Sequence, residues 1–496
     1  MIVMKFGGSS VESSDAIARL VETVNSHLGQ RPVVVVSALG KTTNRLLEFA
    51  EHARRGELYL GSKCLNELQD YHFEIAGQVG NGEALHSLET SLQRSFRDLH
   101  VILSEVADEG REVTPALLDE IASFGERMSS EIVAAALESG GVPSVHLDAR
   151  QVIFTDNRHV HATPLYWESY AKLRRVVPYL SDGRVVVMGG FIGSTREGVT
   201  TTLGRGGSDL TASIVGAGIV ADEIQIWTDV DGMLTCDPRV FQGVYRLRSL
   251  SYREAAALAG SGAKVLHPDT VTPAVRQRIP LVIRNSRRPA LEGTRIISAV
   301  PPCSNPVKAI ACKPDLTVLE IRTKDERDPA ELAVAFGEAC ERYGIPAEFL
   351  CQNEGTIFLA LKSSTGYQNL PIELAGCVEV RLHTRSAILT LVGEGIDGTS
   401  EIAARSLFAL KEIPVTVMSS RQAKLAVSLI VPSTAMQRSV EMLHREFFQH
   451  TDPAVFAECQ ELRVEAPQPS STFTASGESA VAAARRFPPL TIVCQN

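Results

Sequence analysis

Short apolar segments alternate with longer amphipathic segments over the first 298 residues. Short runs rich in β-branched residues fit strands that are buried on both faces of a parallel sheet, and the intervening helical patterns fit layers that cover the sheet. Each run ends in Gly, Ser, Thr, Asp or Asn, and open α/β sheets bind ligands at the carboxyl ends of their strands. The predicted strands are Ile2–Phe6, Pro32–Ser37, Val185–Gly190, Glu223–Thr228 and Pro280–Asn285.

A segment without a strand pattern interrupts this alternation between residues 46 and 110. It is rich in charged residues and its periodicity is helical. We interpret it as a helical insert that forms a lid or side subdomain.

The pattern changes after the proline-marked junction Val300–Pro306 and then occurs twice. Each copy has the order strand, helix, strand, strand, and each contains an Ile-Pro dipeptide, at 345–346 and at 413–414. Two copies are too few for a solenoid and predict two small packed domains, at 299–385 and 386–450. From Thr451 the chain becomes rich in Pro, Ser, Thr and Ala, and we predict a mostly disordered tail over 451–496.

Composition and charge argue against a nucleic-acid-binding, membrane-spanning or secreted protein. The chain has 496 residues, of which 44% are hydrophobic and 22% charged, as expected of a globular protein with large cores. Its net charge of −9 gives no global attraction for nucleic acid or an anionic membrane. No apolar run approaches the length of a membrane span, and the start lacks the features of a secretory signal. The nine cysteines contain no Cys-x-x-Cys, so we expect reduced thiols in a cytoplasmic protein.

The first predicted strand runs into a turn that suits an anion. Lys5 is followed closely by the segment Gly7–Ser10, and a helix begins near Asp15. Glycines let backbone N–H groups approach a phosphate, the helix N-terminus adds positive potential, and the lysine adds a full charge. The chain has no G-x-x-x-x-G-K-[ST] loop, so this is a different phosphate site or, alternatively, a tight turn.

A denser polar constellation lies in two glycine-rich segments, Gly189–Gly193 and Thr200–Asp209. Arg205 is suited to a bidentate grip on a carboxylate. Asp209 stands at the entry to an apolar helix, where it either caps the helix or organises the site. Capping alone would leave the preceding glycines unexplained.

Two later segments complete the candidate site. The segment Trp227–Gly232, followed by Asp237-Pro238-Arg239, places hydroxyl and carboxylate groups at a strand end and fits a nucleoside pocket. The segment Ser261–Pro268 supplies a second lysine, Lys264, in a glycine-bounded turn. Two lysines that converge on one phosphoryl group would neutralise the charge that phosphoryl transfer requires.

These segments together resemble aspartate kinases of the amino acid kinase family. The motifs that carry the resemblance are, in order, KFGGSS, VVVVSALGKTTN, SFGER, the TD of VIFTD, GGFIG, TTTLGRGGSD, WTDVDG with DPR, and GAKVLHP. The resemblance implies an amino acid kinase-like three-layer α/β/α domain over 1–298. It also implies that the repeat consists of two ferredoxin-like (βαββαβ) ACT domains and that ATP phosphorylates the β-carboxylate of L-aspartate. That reaction is the first step towards lysine, threonine and methionine.

The resemblance also implies a role for each matching residue. Lys5 and Lys264 would stabilise the transferring phosphoryl group, and Asp209 would hold the lysines in place. The residues implied to bind aspartate are Ser37, Thr43, Glu126, Arg205, Gly206, Gly207 and Ser208, with Arg205 on a carboxylate and Glu126 on the amino group. The residues implied to bind ATP are Lys5, Gly7, Gly8, Ser9, Ser10, Thr228, Asp229, Leu234, Arg239, Lys264 and Val265. Mg²⁺ would arrive on the nucleotide phosphates, without a dedicated protein metal site.

The sequence departs from the family pattern in two places. Leu234 stands where relatives often have tyrosine, which removes a hydroxyl contact with the nucleotide. The segment Arg322–Pro329 replaces the glycine-containing loop that commonly binds a lysine effector, so lysine inhibition is in doubt. The glycine-rich turn Val392–Ile396 is compatible with an effector site or with interdomain packing.

Assembly is also implied by the resemblance. The strand Val307–Ala311 is expected to complete the second ACT domain, and ACT strands commonly pair across a homodimer.

Two other functions stay open on sequence grounds. One is another kinase of this family, acting on glutamate, N-acetylglutamate or a nucleoside monophosphate. The other is a catalytically silent amino-acid sensor. The 46 residues from Thr451 leave no room for a fused dinucleotide-binding dehydrogenase domain, so we expect a monofunctional enzyme.

Overall fold

The structure is a computed structural model that describes residues 1–107, 110–262, 268–323, 347–353, 356–362, 378–396, 400–418 and 425–459, with isolated positions between 331 and 340. Four sequence predictions lie outside these residues. They are the roles of Lys264 and Val265, the effector loop from 324 onward, most of the helix predicted near 329–343, and the tail beyond 459.

A mostly parallel sheet forms the frame of the first 297 residues. The strands of this region are β1 (Ile2–Phe6), β2 (Pro32–Val36), β3 (Ser144–His146), β4 (Val185–Gly189), β5 (Ile192–Ser194), β6 (Thr200–Thr202), β7 (Glu223–Thr228), β8 (Tyr245–Leu247), β9 (Ser249–Ser251), β10 (Leu281–Asn285) and β11 (Thr294–Ile297). Within the described residues, eight of them form one sheet in the order β3-β4-β2-β1-β7-β10-β11-β9. All five predicted strands are confirmed, and they form the contiguous centre of this sheet.

Helices cover both faces of the sheet. They are α1 (Ser14–Ser26), α2 (Thr42–Arg54), α3 (Leu58–Val79), α4 (Gly82–Ala107), α5 (Pro115–Ser139), α6 (Tyr166–Leu180), α7 (Gly207–Ile219), α8 (Tyr252–Gly260) and α9 (Thr272–Arg276). Single 3-10 turns occur at Gly8–Ser10, Leu28–Gln30, Ala149–Gln151 and Pro268–Val271. Because strand side chains alternate between faces, Ile2, Met4 and Phe6 pack with α1 to α5, whereas α7 lies against β1, β2 and β7. The predicted three-layer α/β/α domain is confirmed.

The insert is helical, as predicted, but it is not separated from the rest of the domain. Leu46, Leu65 and Phe96, from its three helices α2 to α4, belong to the same buried cluster as Met4 of β1. The insert is therefore a thick layer on one face of the sheet.

The repeated C-terminal region forms one continuous sheet. Its strands are β12 (Ala309–Thr323), β13 (Ala347–Asn353), β14 (Thr356–Lys362), β15 (Val378–Val392), β16 (Thr416–Met418) and β17 (Ala426–Pro432), and its described helices are α10 (Ser400–Ala409) and α11 (Met436–Phe448), with a 3-10 turn at Ser433–Ala435. In the described residues the strand order is β13-β14-β12-β15-β17-β16.

Two strands are shared between the halves of this sheet. Residues 316–322 of β12 pair with β14, whereas residues 309–313 of β12 pair with the end of β15 beside β17. The chain segment just after the first domain thus completes the second unit, as expected. The expected boundary at 385/386 falls inside β15, at a kink where Arg385 has a φ of 49°.

The tail prediction is wrong for residues 451–459. Phe456–Glu458 form a last strand, β18, which pairs antiparallel with β8. Val455 and Phe456 are buried, and the Arg248 N–H donates to Val455 O at 2.7 Å. These apolar side chains and the open edge of β8 explain the order, whereas the shift to Pro, Ser and Ala becomes dense only after this point.

Several contacts join the C-terminal region to the first domain, and examples come from three places. β18 pairs with β8, the His444 ring lies 2.9 Å from Thr235 Oγ1, and the buried Lys308 ammonium lies 3.1 Å from Glu254. None of the described helices has both the length and the apolar character needed to cross a membrane.

Candidate active site

The carboxyl ends of the central strands are tied together by backbone hydrogen bonds. The N–H groups of Gly7, Ser37 and Gly190 donate to carbonyls at the ends of neighbouring strands, Trp227 O (3.1 Å), Phe6 O (3.0 Å) and Val36 O (2.8 Å) respectively. The turns that follow β1, β2, β4 and β7 therefore meet at one edge of the sheet. That edge is where the sequence placed its candidate residues.

A cavity of about 510 Å³ opens at this edge. All seven residues expected to bind aspartate line it, together with Lys5, Gly8 and Asp209. The segments that supply them are separated by up to 200 residues along the chain. The structure thus brings the predicted substrate residues into one site.

An ion pair between Lys5 and Asp209 lies in the wall of this cavity. Lys5 Nζ is 2.7 Å from Asp209 Oδ1, and the side chains are only 11% and 16% exposed. β1 directs Lys5 to the face that α7 covers, where Asp209 sits in the first turn of α7. The N-cap of α7 is Gly206, without a side-chain hydrogen bond, so the alternative of Asp209 as the cap is wrong. Its carboxylate orients the lysine.

The turn that carries Arg205 depends on glycine. Gly204 and Gly206 have φ values of 71° and 73°, in the left-handed region that side chains with a Cβ rarely adopt. A Cβ on Gly190 would lie 2.7 Å from the Cβ of Ser208, so this glycine also allows the two glycine-rich segments to touch. The Arg205 side chain is exposed at the cavity and has no ion-pair partner among the described residues. Its guanidinium is available for an anionic ligand.

Glu126 is a buried acid in the same cavity. Its side chain comes from α5, it is 3% exposed, and Oε2 has no hydrogen-bond partner in the described structure. Burial raises the pKa of Glu126 to about 8, although the nearby Lys5 charge opposes the shift. A carboxyl with an unused buried oxygen is suited to a ligand that brings a positive charge and N–H donors.

The residues expected to bind the nucleotide lie at the neighbouring strand end and are more open. The hydroxyl of Thr228 donates to Asp229 Oδ1 at 3.2 Å, and the Asp229 side chain is exposed. Arg239 is exposed and pairs with Asp237, with Nη2 2.6 Å from Oδ2. Arg239 and Thr228 thus each contact a near neighbour in the chain.

Two of the expected nucleotide residues have other partners. The Ser10 hydroxyl donates to Ser286 Oγ at 2.8 Å and its N–H to Gly7 O at 2.9 Å, so Ser10 is occupied in holding the strand ends together. A phosphate contact by this buried residue is not supported, whereas Gly7, Gly8 and Ser9 remain partly accessible. Leu234 is half-buried and its backbone bridges to Arg246.

Comparison with known proteins identifies the family. Residues 1–285 match the amino acid kinase family, and residues 389–447 match an ACT domain family. The chain is 31% identical over 467 residues to Aspartokinase 2, chloroplastic, of Arabidopsis thaliana, which covers 91% of this chain and 85% of the relative. It is 30% identical to lysine-sensitive aspartokinase 3 of Escherichia coli K12, over 90% of this chain and 99% of the relative. The chain belongs to the aspartokinases of the amino acid kinase family.

Solved aspartokinase structures share this fold. E. coli aspartokinase III in complex with aspartate and ADP, in the R-state, superimposes with a TM-score of 0.75 at 29% identity, covering 90% of this chain and 100% of that one. The same enzyme in complex with lysine and aspartate, in the T-state, gives a TM-score of 0.76 at 29% identity, covering 90% of this chain and 99% of that one. The predicted fold class, an amino acid kinase domain followed by ACT units, is confirmed.

Two polar lining residues of this aspartokinase site, Asp119 and His161, were missed by sequence reasoning. Phe191 and Thr202 also line the cavity, and they lie in the two glycine-rich segments that the sequence predicted as part of the site. Asp119 precedes Glu126 by seven residues, which places both on one face of α5, and this spacing was a usable signal. His161 gave none, because it reaches the cavity through the fold of a loop.

Proposed function

We propose that this protein is an aspartate kinase, which transfers the γ-phosphoryl group of ATP to the β-carboxylate of L-aspartate to form 4-phospho-L-aspartate and ADP. The observation that carries the proposal is that one cavity is lined by three kinds of group. They are the Arg205 guanidinium, the buried Glu126 carboxyl with its free oxygen, and the Lys5 ammonium that Asp209 orients. These groups complement the carboxylate, the ammonium and the transferring phosphoryl group of the reactants. The product would enter the synthesis of lysine, threonine and methionine.

The roles follow from charge. Arg205 would grip a carboxylate of aspartate, and ionised Glu126 would accept hydrogen bonds from its ammonium. The attacking β-carboxylate is already ionised at neutral pH, so the reaction requires positioning and charge neutralisation and no general base. Lys5, held by Asp209, would stabilise the negative charge on the phosphoryl oxygens. We infer that Lys264, outside the described residues, is the second lysine.

The nucleotide would lie beside the strand end of β7. Thr228 ends β7 and Asp229 follows it, beside Gly7, whose N–H donates to Trp227 O. We propose that they bind the nucleotide together with Gly8, Ser9, Arg239 and an apolar contact from Leu234. The described residues contain no group of three or more His, Cys, Asp or Glu side chains arranged for a metal. We propose that Mg²⁺ binds through the nucleotide phosphates and water, which commonly supply most of its ligands. When bound, it would neutralise phosphate charge.

The turn 392–396 bears on whether an effector binds to the C-terminal region. The turn 392–396 packs against the linker, because a Cβ at Gly393 would lie 2.2 Å from Pro306 O, and the Glu394 N–H donates to buried Glu254 at 2.9 Å. This contact favours interdomain packing over effector binding at the turn. A homodimer through the ACT sheet and a cytoplasmic location stay predictions.

Aspartate-dependent ADP release tests the function. We expect turnover with L-aspartate, and none of comparable rate with glutamate, N-acetylglutamate or UMP. Turnover with one of those acceptors instead would assign the chain to another activity of the family, and no turnover with any, while ACT ligands bind, would indicate a sensor. Repeating the assay with lysine, threonine or methionine identifies an effector.

A further inference from the structure

Two carboxylates on one face of α5 reach the same cavity but are used differently. Glu126 keeps a buried oxygen without a partner. Asp119, seven residues earlier and 1% exposed, has all its acceptor capacity engaged by donors from two other segments. Glu126 is therefore available to bind a ligand, whereas the Asp119 carboxylate accepts hydrogen bonds from other parts of the protein.

The donors to Asp119 come from two chain segments that meet beside the cavity. The Val160 N–H lies 3.0 Å from both carboxylate oxygens, and His159 Nδ1 lies 2.8 Å from Oδ2. The hydroxyl of Thr202, at the end of β6, donates to Oδ1. A single buried charge therefore joins α5, the loop 156–163 and the strand that leads into the Arg205 turn.

The loop held by Asp119 is strained and lies against the substrate-binding turn. Val160 has a φ of 70°, which is costly for a β-branched residue and persists only when its surroundings fix it. The His161 ring lies over Gly204, since a Cβ built there would be 2.2 Å from His161 Nδ1. The Ala162 N–H also donates to Thr202 O at 2.9 Å. Loop and turn form one wall, directly beside Arg205.

We propose that Asp119 is a positioning residue for the amino-acid substrate: it holds the strained loop 156–163 against the glycine turn and so fixes the direction of the Arg205 guanidinium. Asp119 acts on the substrate indirectly, through the loop 156–163 and the Arg205 guanidinium. The inference rests on the proposed function, because it takes the cavity to be the aspartate site. It predicts that loss of the Asp119 charge weakens aspartate binding selectively.

The test is Asp119→Asn, with the adjacent Glu120→Gln as its matched control. Loss of charge-assisted hydrogen bonds predicts a KM for aspartate raised by about tenfold or more, with kcat at saturating aspartate and KM for ATP within about twofold of wild type. Glu120→Gln should match wild type, because its side chain does not line the cavity. Calorimetric titration with L-aspartate should show the same loss.

Three results would overturn the proposal. An unchanged KM for aspartate in Asp119→Asn would do so, as would a parallel decline in kcat and in affinity for both substrates, which indicates general damage. If Asp119→Asn does not fold, His159→Asn removes one donor and keeps the Val160 bond; it should raise KM for aspartate by a few-fold, and no change would count against the proposal. The assay of the wild-type protein tests the proposed function separately. Turnover of aspartate by wild type must be observed before the KM of a variant can be compared with that of wild type.

Discussion

The two halves of the proposed active site, one for the amino acid and one for the nucleotide, differ in how far they are assembled without ligand. In the amino-acid half Lys5, Asp209 and Glu126 are largely buried, Arg205 is exposed, and the ligand-facing atoms on Arg205 and Glu126 are free of partners in the described structure. In the nucleotide half, Arg239 and Asp229 are exposed, and each contacts a near neighbour, Asp237 and Thr228 respectively. The first half is preorganised, whereas the second must exchange internal contacts for those of the ligand.

This difference has an energetic origin. Orienting groups before binding avoids an ordering cost at the moment of association, and buried charges act more strongly than exposed ones. A nucleotide brings its own large charge and many contacts, so an exposed and adaptable surface suffices. Aspartate is small, and its recognition depends on few, well-held groups.

The largest expected effect is at the ion pair that links the halves. Asp209→Ala removes the partner that orients Lys5, and misplacing an electrostatic stabiliser of the transition state is expected to reduce kcat by about 10²-fold or more. Steady-state ADP release measures the effect. The exposed Asp70 on α3 provides the control, and Asp70→Ala should retain wild-type rates. Near-normal kcat in a folded Asp209→Ala protein would contradict the site.

Arg205→Ala should act on the amino-acid half alone. Removing one charge-assisted grip on a carboxylate is expected to raise KM for aspartate by about 10- to 100-fold, with KM for ATP nearly unchanged. Arg196→Ala is the matched control, because that arginine is exposed, lies on the nearby hairpin and pairs with Glu168. Equal losses for both substrates would show that the halves are not independent.

Glu126 predicts a pH dependence for the preorganised half. Its pKa of about 8 means that the free protein holds a proton there at pH 6, and binding of the substrate ammonium must displace it. KM for aspartate should therefore fall by about 50-fold from pH 6 to pH 8 in wild type, if only the ionised form of Glu126 binds the ammonium. In Glu126→Gln, KM should be higher and nearly flat over this range. If KM for aspartate in wild type varied with pH as little as it does in Glu126→Gln, the proposed role of Glu126 in binding the ammonium would be contradicted.

The same group affects stability with a definite sign. The folded state keeps the proton up to about pH 8, while the unfolded chain loses it near its ordinary pKa of 4.5. The free energy of unfolding should thus decrease as pH rises through this window, since the folded state binds more protons. Denaturation at several pH values, with Glu126→Gln as the reference that lacks this contribution, checks the sign.

The smallest effect is expected at the exposed pair in the nucleotide half. Asp237→Asn weakens the grip on Arg239, and exposed pairs contribute roughly 0–1 kcal/mol, so KM for ATP should fall by no more than about fivefold. Titration of the rate with ATP at saturating aspartate measures it. An increase in KM for ATP would mean that the Arg239–Asp237 ion pair persists when the nucleotide binds and is not replaced by a contact with the nucleotide.

Sequence reasoning succeeded where local pattern and chemistry coincide. The valine runs of β2 and β4 fit only buried strands, and the turns after them carry the polar residues that converge in the cavity. It failed where the decisive contact is nonlocal. Nothing near Ser10 indicates that Ser286 would take its hydroxyl, and nothing near Asp119 indicates that a loop 40 residues away would saturate it. The ordered tail residues 451–459 were missed for the same reason, because β8 supplies their partner.

The pairing of β18 with β8 has a consequence for synthesis on the ribosome. Domains generally fold from the N-terminus as they emerge, and most of the kinase unit is complete in sequence long before residue 456. The strand that covers β8, however, is translated only after both ACT units. Until then the nascent kinase domain carries an open strand edge at β8, so maturation of this unit waits for the ACT region and for β18, which follow it in the chain.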